Sequence, residues 1–170
     1  LPIFAALASH PTNPLFVVGE RGSFRSLRVC DKASNQFVGK QINVEATPSV
    51  AAIHPSKPLM VVGYLGGGLA LWDIGNQIQL DQTDDKWGRT NDLQFSPDGE
   101  YVVSATEDGV VRVWQIQHRL KLHWEGRMQS DVRVLSISSE SQQLASGSAE
   151  GDILLWDIQS GNQEIGRAHV

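Results

Sequence analysis

Phe95 to Trp114 reads FSPDGEYVVSATEDGVVRVW, and the same outline returns at a fixed distance on either side. Ile137 to Trp156 reads ISSESQQLASGSAEGDILLW, and Ile53 to Trp72 reads IHPSKPLMVVGYLGGGLALW. Trp72, Trp114 and Trp156 are therefore spaced by 42 positions, and Cys30 stands one more period upstream. A period of that size marks an array in which each unit is one supersecondary element.

Within a unit, short apolar runs alternate with turn chemistry. Leu93-Gln94-Phe95 leads into Ser96-Pro97-Asp98-Gly99, and Tyr101-Val102-Val103-Ser104 leads into Glu107-Asp108-Gly109. Proline presets φ and glycine accepts positive φ, so Pro97-Asp98-Gly99 is a turn. Asp108-Gly109 between two β-rich runs is a hairpin signal. The third run is Val110 to Trp114, and a fourth, Leu120 to Trp124, alternates apolar and polar as a half-exposed outer strand does. The expectation is an all-β chain of four consecutive four-stranded antiparallel units, at 1–46, 47–88, 89–130 and 131–170. A sheet with two apolar faces needs neighbours on both, and stacking around an axis supplies them.

These units resemble WD repeats of the β-propeller family. The residues that carry the resemblance are Ser96-Pro97-Asp98-Gly99, Ser146-Gly147-Ser148 and the closing pairs Trp72-Asp73 and Trp156-Asp157. The pair becomes Trp114-Gln115 in the third unit and Cys30-Asp31 in the first. Rings of this family are commonly seven-bladed, so the resemblance implies one partial propeller belonging to a larger ring. Gly166 to Val170 then looks like the opening of a further blade. The family's Asp-His-Ser/Thr-Trp tetrad is incomplete: Trp72, Trp114 and Trp156 remain, with Ser104 and Ser146, but the histidine before the first strand is missing in units two to four. The aspartate position holds Asp108 in one unit and Glu150 in another, so packing of Val, Ile and Leu is expected to hold the blades.

Fourteen basic residues stand against 19 acidic, a formal charge of −5. That argues against general nucleic-acid or anionic-membrane binding, which needs clustered positive charge. One cysteine forms no internal disulfide, and no apolar run reaches membrane-spanning length. The expected location is intracellular, cytoplasmic or nuclear. No second cysteine, histidine pair at metal spacing, nucleophile elbow or Gly-Lys-Ser loop is present, so neither enzyme activity nor a metal or cofactor is expected.

The first unit is the most degenerate. Leu15 to Gly19 matches Leu59 to Gly63 at a spacing of 44, which puts two extra residues between Gly19 and Cys30, in the turn Glu20 to Ser23. His10-Pro11 and His54-Pro55 occupy equivalent turns and read as turn histidines rather than ligands. Tyr64 to Gly68 is glycine-rich, but a strand follows where a phosphate loop needs a helix, so a flexible hairpin turn is expected. The carboxylates Glu107-Asp108 and Glu150-Gly151-Asp152 read as turn stabilisers.

By resemblance, the segments Gly39 to Ser49, Asp81 to Asn91 and Glu125 to Asp131 lie at one end of the propeller beside the hairpins, and loops on a rigid scaffold are where binding sits. Lys86, Trp87 and Arg89 form an anchor candidate, with packing of Trp87 onto the neighbouring blade as the competing reading. Arg127 and Met128 are further exposed candidates, while Trp124 is expected to continue the Leu120, Leu122 face. The reading is a non-catalytic interaction scaffold for proteins or peptides within a larger assembly, and a purely architectural role is not separable from it. The alternative is RNA or phosphorylated-headgroup recognition through Arg21, Arg25 and Arg28.

Overall fold

The computed structural model describes residues 3–9, 14–21, 25–140 and 142–164. They form four four-stranded antiparallel sheets, each a simple meander in chain order. The first holds β1 (Ile3–Ser9), β2 (Leu15–Arg21), β3 (Ser26–Asp31) and β4 (Phe37–Asn43). The second holds β5 (Pro48–Ile53), β6 (Leu59–Tyr64), β7 (Leu69–Asp73) and β8 (Ile78–Gln82). The third holds β9 (Thr90–Phe95), β10 (Tyr101–Thr106), β11 (Val110–Ile116) and β12 (Leu120–Arg127). The fourth holds β13 (Val132–Ile137), β14 (Gln143–Ser148), β15 (Ile153–Asp157) and β16 (Gln163–Glu164). Among the described residues no helix is long and apolar enough to cross a membrane. His10, Pro11, Gly22, Ser23 and residues 166–170 lie outside the described residues.

The sequence period reappears as strand register. Met60 pairs Trp72, Val102 pairs Trp114 and Leu144 pairs Trp156, each pair twelve positions apart. In the first sheet Phe16 pairs Cys30, fourteen apart. Gly19 pairs Leu27 where Gly63 pairs Leu69, so the two extra residues fall in the β2–β3 hairpin.

Successive residues of a strand face opposite ways, so the unbroken apolar runs serve two interfaces at once. Met60 and Val62 face the first sheet, with Leu27, Val29 and Ile42, while Val61 and Leu71 face the third. Val102 and Trp114 complete that second interface, and Val103, Val111 and Val113 face the fourth sheet with Leu135, Leu144 and Trp156. Each full side-chain burial of this kind is worth about 1.5–3 kcal/mol. The first strands of the sheets are also neighbours: β1 packs on β5, β5 on β9 and β9 on β13.

Polar side chains on these first strands reach one period across to the next. Ser49 Oγ donates to Thr90 O (2.7 Å), Asn91 Nδ2 to Val132 O (2.8 Å) and Gln94 Nε2 to Leu135 O (2.7 Å). Asp92 Oδ2 accepts Leu135 N–H at 2.8 Å. Burial pushes the Asp92 carboxyl above its usual range, partly offset by the N–H groups of Leu135 and Leu93. On the perimeter, Gln77 Oε1 accepts Lys40 N–H (3.0 Å) and its Nε2 donates to Lys40 O (2.7 Å). That amide blunts the outer edge of β4, a place where an unpaired strand invites aggregation.

One expected face is reversed. A bulge in β12 lies between the pairs Trp114–Leu122 and Val113–Trp124. Leu120 therefore faces the second sheet, and Trp124 is turned to the fourth, where its ring lies 5.8 Å from that of Trp156 and its Nε1 donates to Ile158 O at 2.6 Å. Trp124 is packing, as expected, but on the opposite side from Leu120.

Candidate functional site

The closing aspartates are turn caps. Asp73 Oδ1 accepts Asn76 N–H (3.0 Å) and Oδ2 accepts its Nδ2 (2.8 Å). Asp157 Oδ1 accepts Ser160 N–H and its hydroxyl, both at 2.7 Å, and Asp31 treats Ser34 the same way at 2.8 Å. These hydrogen bonds hold all three carboxyls below their usual range. Two of the tryptophans have their own acceptor: Trp114 Nε1 donates to Ser104 Oγ (3.1 Å) and Trp156 Nε1 to Ser146 Oγ (2.8 Å). In the second sheet Val62 stands where the serine would be. Trp72 Nε1 is buried without a hydrogen-bond partner, the Tyr64 phenol lying near it but not in bonding geometry.

Asp108 does not join the Trp114–Ser104 pair. Its carboxylate takes Thr106 Oγ (2.5 Å from Oδ1) and the fork of Arg112, at 3.3 Å to Oδ1 and 2.6 Å to Oδ2. Arg112 Nη1 also donates to Thr106 Oγ1 (2.8 Å), and its Nε pairs with Glu125 Oε2 (3.2 Å). Desolvation alone would raise the Asp108 carboxyl, but the Arg112 and Thr106 hydrogen bonds outweigh it and the net shift is downward. Arg112 is only 5% exposed. The sequence carries a signal for it, a cation inside Val-Val-Arg-Val-Trp where the second and fourth units have Ala70 and Leu154, although the first unit has Arg28 there too.

Trp87 covers that guanidinium. Its ring centre is 4.2 Å from Arg112 Cζ and 5.5 Å from the Trp114 ring. Of its two readings, packing onto the neighbouring sheet is the one that describes its position. The connection 83–89 that carries Trp87 lies on the glycine-rich hairpin. A Cβ on Gly67 (φ +94°) would meet Trp87 N at 2.6 Å, and one on Gly68 would meet Thr83 O at 2.8 Å. Tyr64 to Gly68 is the expected hairpin turn, and Gly67 and Gly68 also make a seat for backbone. Glu107 Oε2 fixes the other end by accepting Arg89 N–H at 3.1 Å. Lys86 and the Arg89 side chain are exposed on either side of the anchored indole.

Between the third and fourth sheets the same end is open. A hollow of about 670 Å³ is lined by Glu107, Asp108, Gly109 and the run Arg127 to Asp131. Arg127 is exposed and its Nη1 donates to Asp108 O at 3.2 Å. Met128 corrects an expectation of exposure, since it is 5% exposed at the hollow's base, with its sulfur accepting from Ser146 Oγ at 3.2 Å. A smaller hollow of about 360 Å³ occupies the corresponding place one junction earlier, lined among others by Glu45, Tyr64, Asp84, Asp85 and Lys86. Burial pushes the Tyr64 phenol there up to about 12.

Two arginines of the first unit's basic spot engage neighbours on the outer strand and the connection after it. Arg25 Nη1 donates to Glu45 O, while Arg28 lies over the Phe37 ring at 4.6 Å and donates to Gln41 Oε1 at 3.2 Å. Arg21 is described only as the last residue of β2. His54 is a turn histidine, with Nδ1 accepting the N–H groups of Ser56 (3.1 Å) and Lys57 (3.0 Å). Among the described residues, no group of three or more His, Cys, Asp or Glu side chains is placed to hold a metal ion.

Residues 85–115 and 117–157 match the family model described as WD domain, G-beta repeat. The serine-threonine kinase receptor-associated protein of Homo sapiens is 34% identical over 76 residues, 45% of this chain and 22% of that protein. The pre-mRNA-processing factor 19 homolog 2 of Arabidopsis thaliana is 28% identical over 114 residues, 66% of this chain and 21% of that protein. The protein LST8 homolog of Drosophila melanogaster is 25% identical over 105 residues, 61% of this chain and 33% of that protein. The matched region thus spans a third or less of each relative's length.

Proposed function

We propose, from the match of residues 85–115 and 117–157 to the WD-repeat model, that this chain is a non-catalytic scaffold that holds protein or peptide partners at the end where hairpins and connections meet. The observation that carries this reading is the pair of hollows one junction apart, of about 670 and 360 Å³, walled by a hairpin on one side and a connection on the other. Exposed Lys86 and Arg127 each line one of them, and Trp87 anchors the first connection. Stacked sheets fix these walls before a partner arrives, so binding loses little ordering entropy. One relative is named for its association with a receptor, which is a protein partner.

The four sheets are read as consecutive blades, 1–46, 47–88, 89–130 and 131–170, of a larger ring. In the fourth sheet Val134 and Ile153 are 55% and 42% exposed, whereas Val111, which corresponds to Ile153, is covered by the fourth sheet and fully buried. An uncovered face of that kind supports a further blade beyond it.

The chain has two methionines, Met60 fully buried in the second sheet and Met128 at the larger hollow. Labelled methionine ε-methyl NMR therefore reads the hollow against an internal control. Titration with pools of synthetic peptides, grouped as acidic, basic and apolar, is expected to move Met128 and not Met60 with at least one pool. Silence of Met128 towards every pool would remove the hollow as a docking surface.

A further inference from the structure

We infer that Trp87 is a positioning residue for the larger hollow, acting across the third sheet through Arg112 and Asp108; the inference rests on reading that hollow as the docking surface. Trp87 belongs to the junction of the second and third sheets, and the hollow to the junction of the third and fourth. Between them runs a chain of direct contacts. The indole lies 4.2 Å from the guanidinium carbon of Arg112, and Arg112 Nη2 lies 2.6 Å from Asp108 Oδ2. Asp108 and Gly109 are themselves wall residues.

The hairpin then grips the opposite wall with its backbone. Asp108 O accepts Arg127 Nη1 at 3.2 Å, and Gly109 O accepts Met128 N–H at 2.8 Å. The position of the 106–110 hairpin therefore sets where Arg127 and Met128 stand. On its inner side, that hairpin is held by the Arg112 fork on Asp108 and Thr106.

A guanidinium is planar, and one orientation alone serves Thr106, both oxygens of Asp108 and Glu125 together. Trp87 covers one face of it, attracts it as a cation over a ring, and keeps water from competing for its donors. Take the indole away and the arginine gains both solvent and room to turn. The wall that depends on it then loses its fixed position.

The experiment is the ε-methyl spectrum of the full chain carrying Trp87→Ala, Arg112→Lys or Lys121→Ala. Lysine keeps the charge of Arg112 but has no fork. Trp87→Ala and Arg112→Lys are expected to shift or broaden the Met128 signal while Met60 stays in place. They are also expected to raise peroxide oxidation of Met128 several-fold over Met60. Lys121→Ala, which changes an exposed side chain of β12 that lines neither hollow, leaves both signals alone.

An unchanged Met128 in either Trp87→Ala or Arg112→Lys overturns the inference, even if stability falls. Should Trp87→Ala not fold, seen as both methyls at their unfolded positions, Arg112→Lys alone decides it. The peptide titration separates this from the docking reading. A hollow that answers to Trp87 but to no peptide keeps the positioning role and loses the docking one, and a hollow that binds peptide regardless of Trp87 does the reverse.

Discussion

The connections at residues 83–89 and 128–131 join successive sheets and meet opposite fates. In the first, the inserted residue is Trp87, which fills the space over Arg112 and Trp114. In the second, position 129 holds an exposed glutamine, and the residue turned inward is Met128, one place earlier. The hairpin beneath each connection differs to match. A Cβ on Gly67 would strike backbone at 2.6 Å, whereas one on Gly109 would stop 3.2 Å from Ser130 O. The strapped junction keeps only a hollow of about 360 Å³ and the other one of about 670 Å³, although the repeat period is the same. Sealing depends on what fills the space, and the backbone repeat does not dictate it.

The sharpest way to break this comparison is to remove the two residues at the corresponding position. Trp87→Ala is expected to cost about 2–4 kcal/mol, a little under the range for fully buried tryptophans because this one is half-buried. Gln129→Ala is expected to fall within about 0.5 kcal/mol of the parent, as exposed substitutions do. Urea denaturation followed by far-ultraviolet circular dichroism checks both. Equal losses at the two positions would mean that the strap is no better packed than the open connection.

Glycine replacement sharpens the same contrast. Gly67→Ala and Gly109→Ala both place a side chain at positive φ, at +94° and +79°, a strain of about 1–2 kcal/mol each. Only Gly67→Ala also drives a Cβ into the backbone of Trp87, so it is expected to lose about 1 kcal/mol or more beyond Gly109→Ala. It should also raise the indole's emission wavelength by lifting Trp87 off its seat. A Gly109→Ala variant that matched it in stability would show the hairpins to be equally crowded.

These outcomes bear on what could be read from sequence. The period of 42, the turns and the tryptophan positions located the sheets because each rests on local chemistry or on spacing along the chain. The site was only partly legible. Trp87 drew notice as an aromatic residue between cations, but whether it pointed out or in depended on Arg112, twenty-five positions away on another strand. Met128 follows Arg127 in a polar segment and gave no local sign that Gly109 O and Ser146 would draw it inward. The Gly66 to Gly68 run was visible as permissive backbone, yet the reason for Gly67 and Gly68 lies in the approach of residues 83–88, while a Cβ on Gly66 would meet nothing. Trp124 was misassigned to a face because a single bulge reverses alternation, and nothing between Leu120 and Trp124 announces it.

Acid separates two carboxylates that serve the two junctions. Asp108 titrates below its usual range in the folded chain, so its contribution is present above the unfolded value and is lost as pH falls through the lower, folded one. Asp92, which reaches towards the fourth sheet, is shifted the other way. Its ionised form is the costly one, so the folded state recovers stability as pH drops through its raised value towards the unfolded one. Asp108→Asn is therefore expected to flatten the loss of stability on acidification, and Asp92→Asn to steepen it. Denaturant midpoints taken from neutral pH downward measure both slopes, and departures from the parent's slope in the same direction for the two variants would refute the opposed assignment.

The smallest effect expected concerns the tryptophans themselves. Ser146→Ala removes the acceptor of Trp156 Nε1 and the donor to Met128 Sδ, and should cost about 1–2 kcal/mol, since it leaves a buried N–H unsatisfied. Val62→Ser attempts the converse by giving Trp72 the acceptor that Ser104 gives Trp114. It forfeits burial of the two methyls of a residue with no exposure, a loss of about 1.5–2 kcal/mol. Against this stands the relief of an indole N–H without a partner, worth about 1–3 kcal/mol. The two terms nearly cancel, and a net change within about 1 kcal/mol of zero is expected. A polar substitution at a fully buried position of a first-interface strand that leaves the denaturation midpoint almost unmoved would be hard to explain unless Trp72 had lacked an acceptor. A loss of the size usual for buried valine would instead mean that the Tyr64 phenol already serves Trp72, and that the second sheet had replaced the serine device and not merely dropped it.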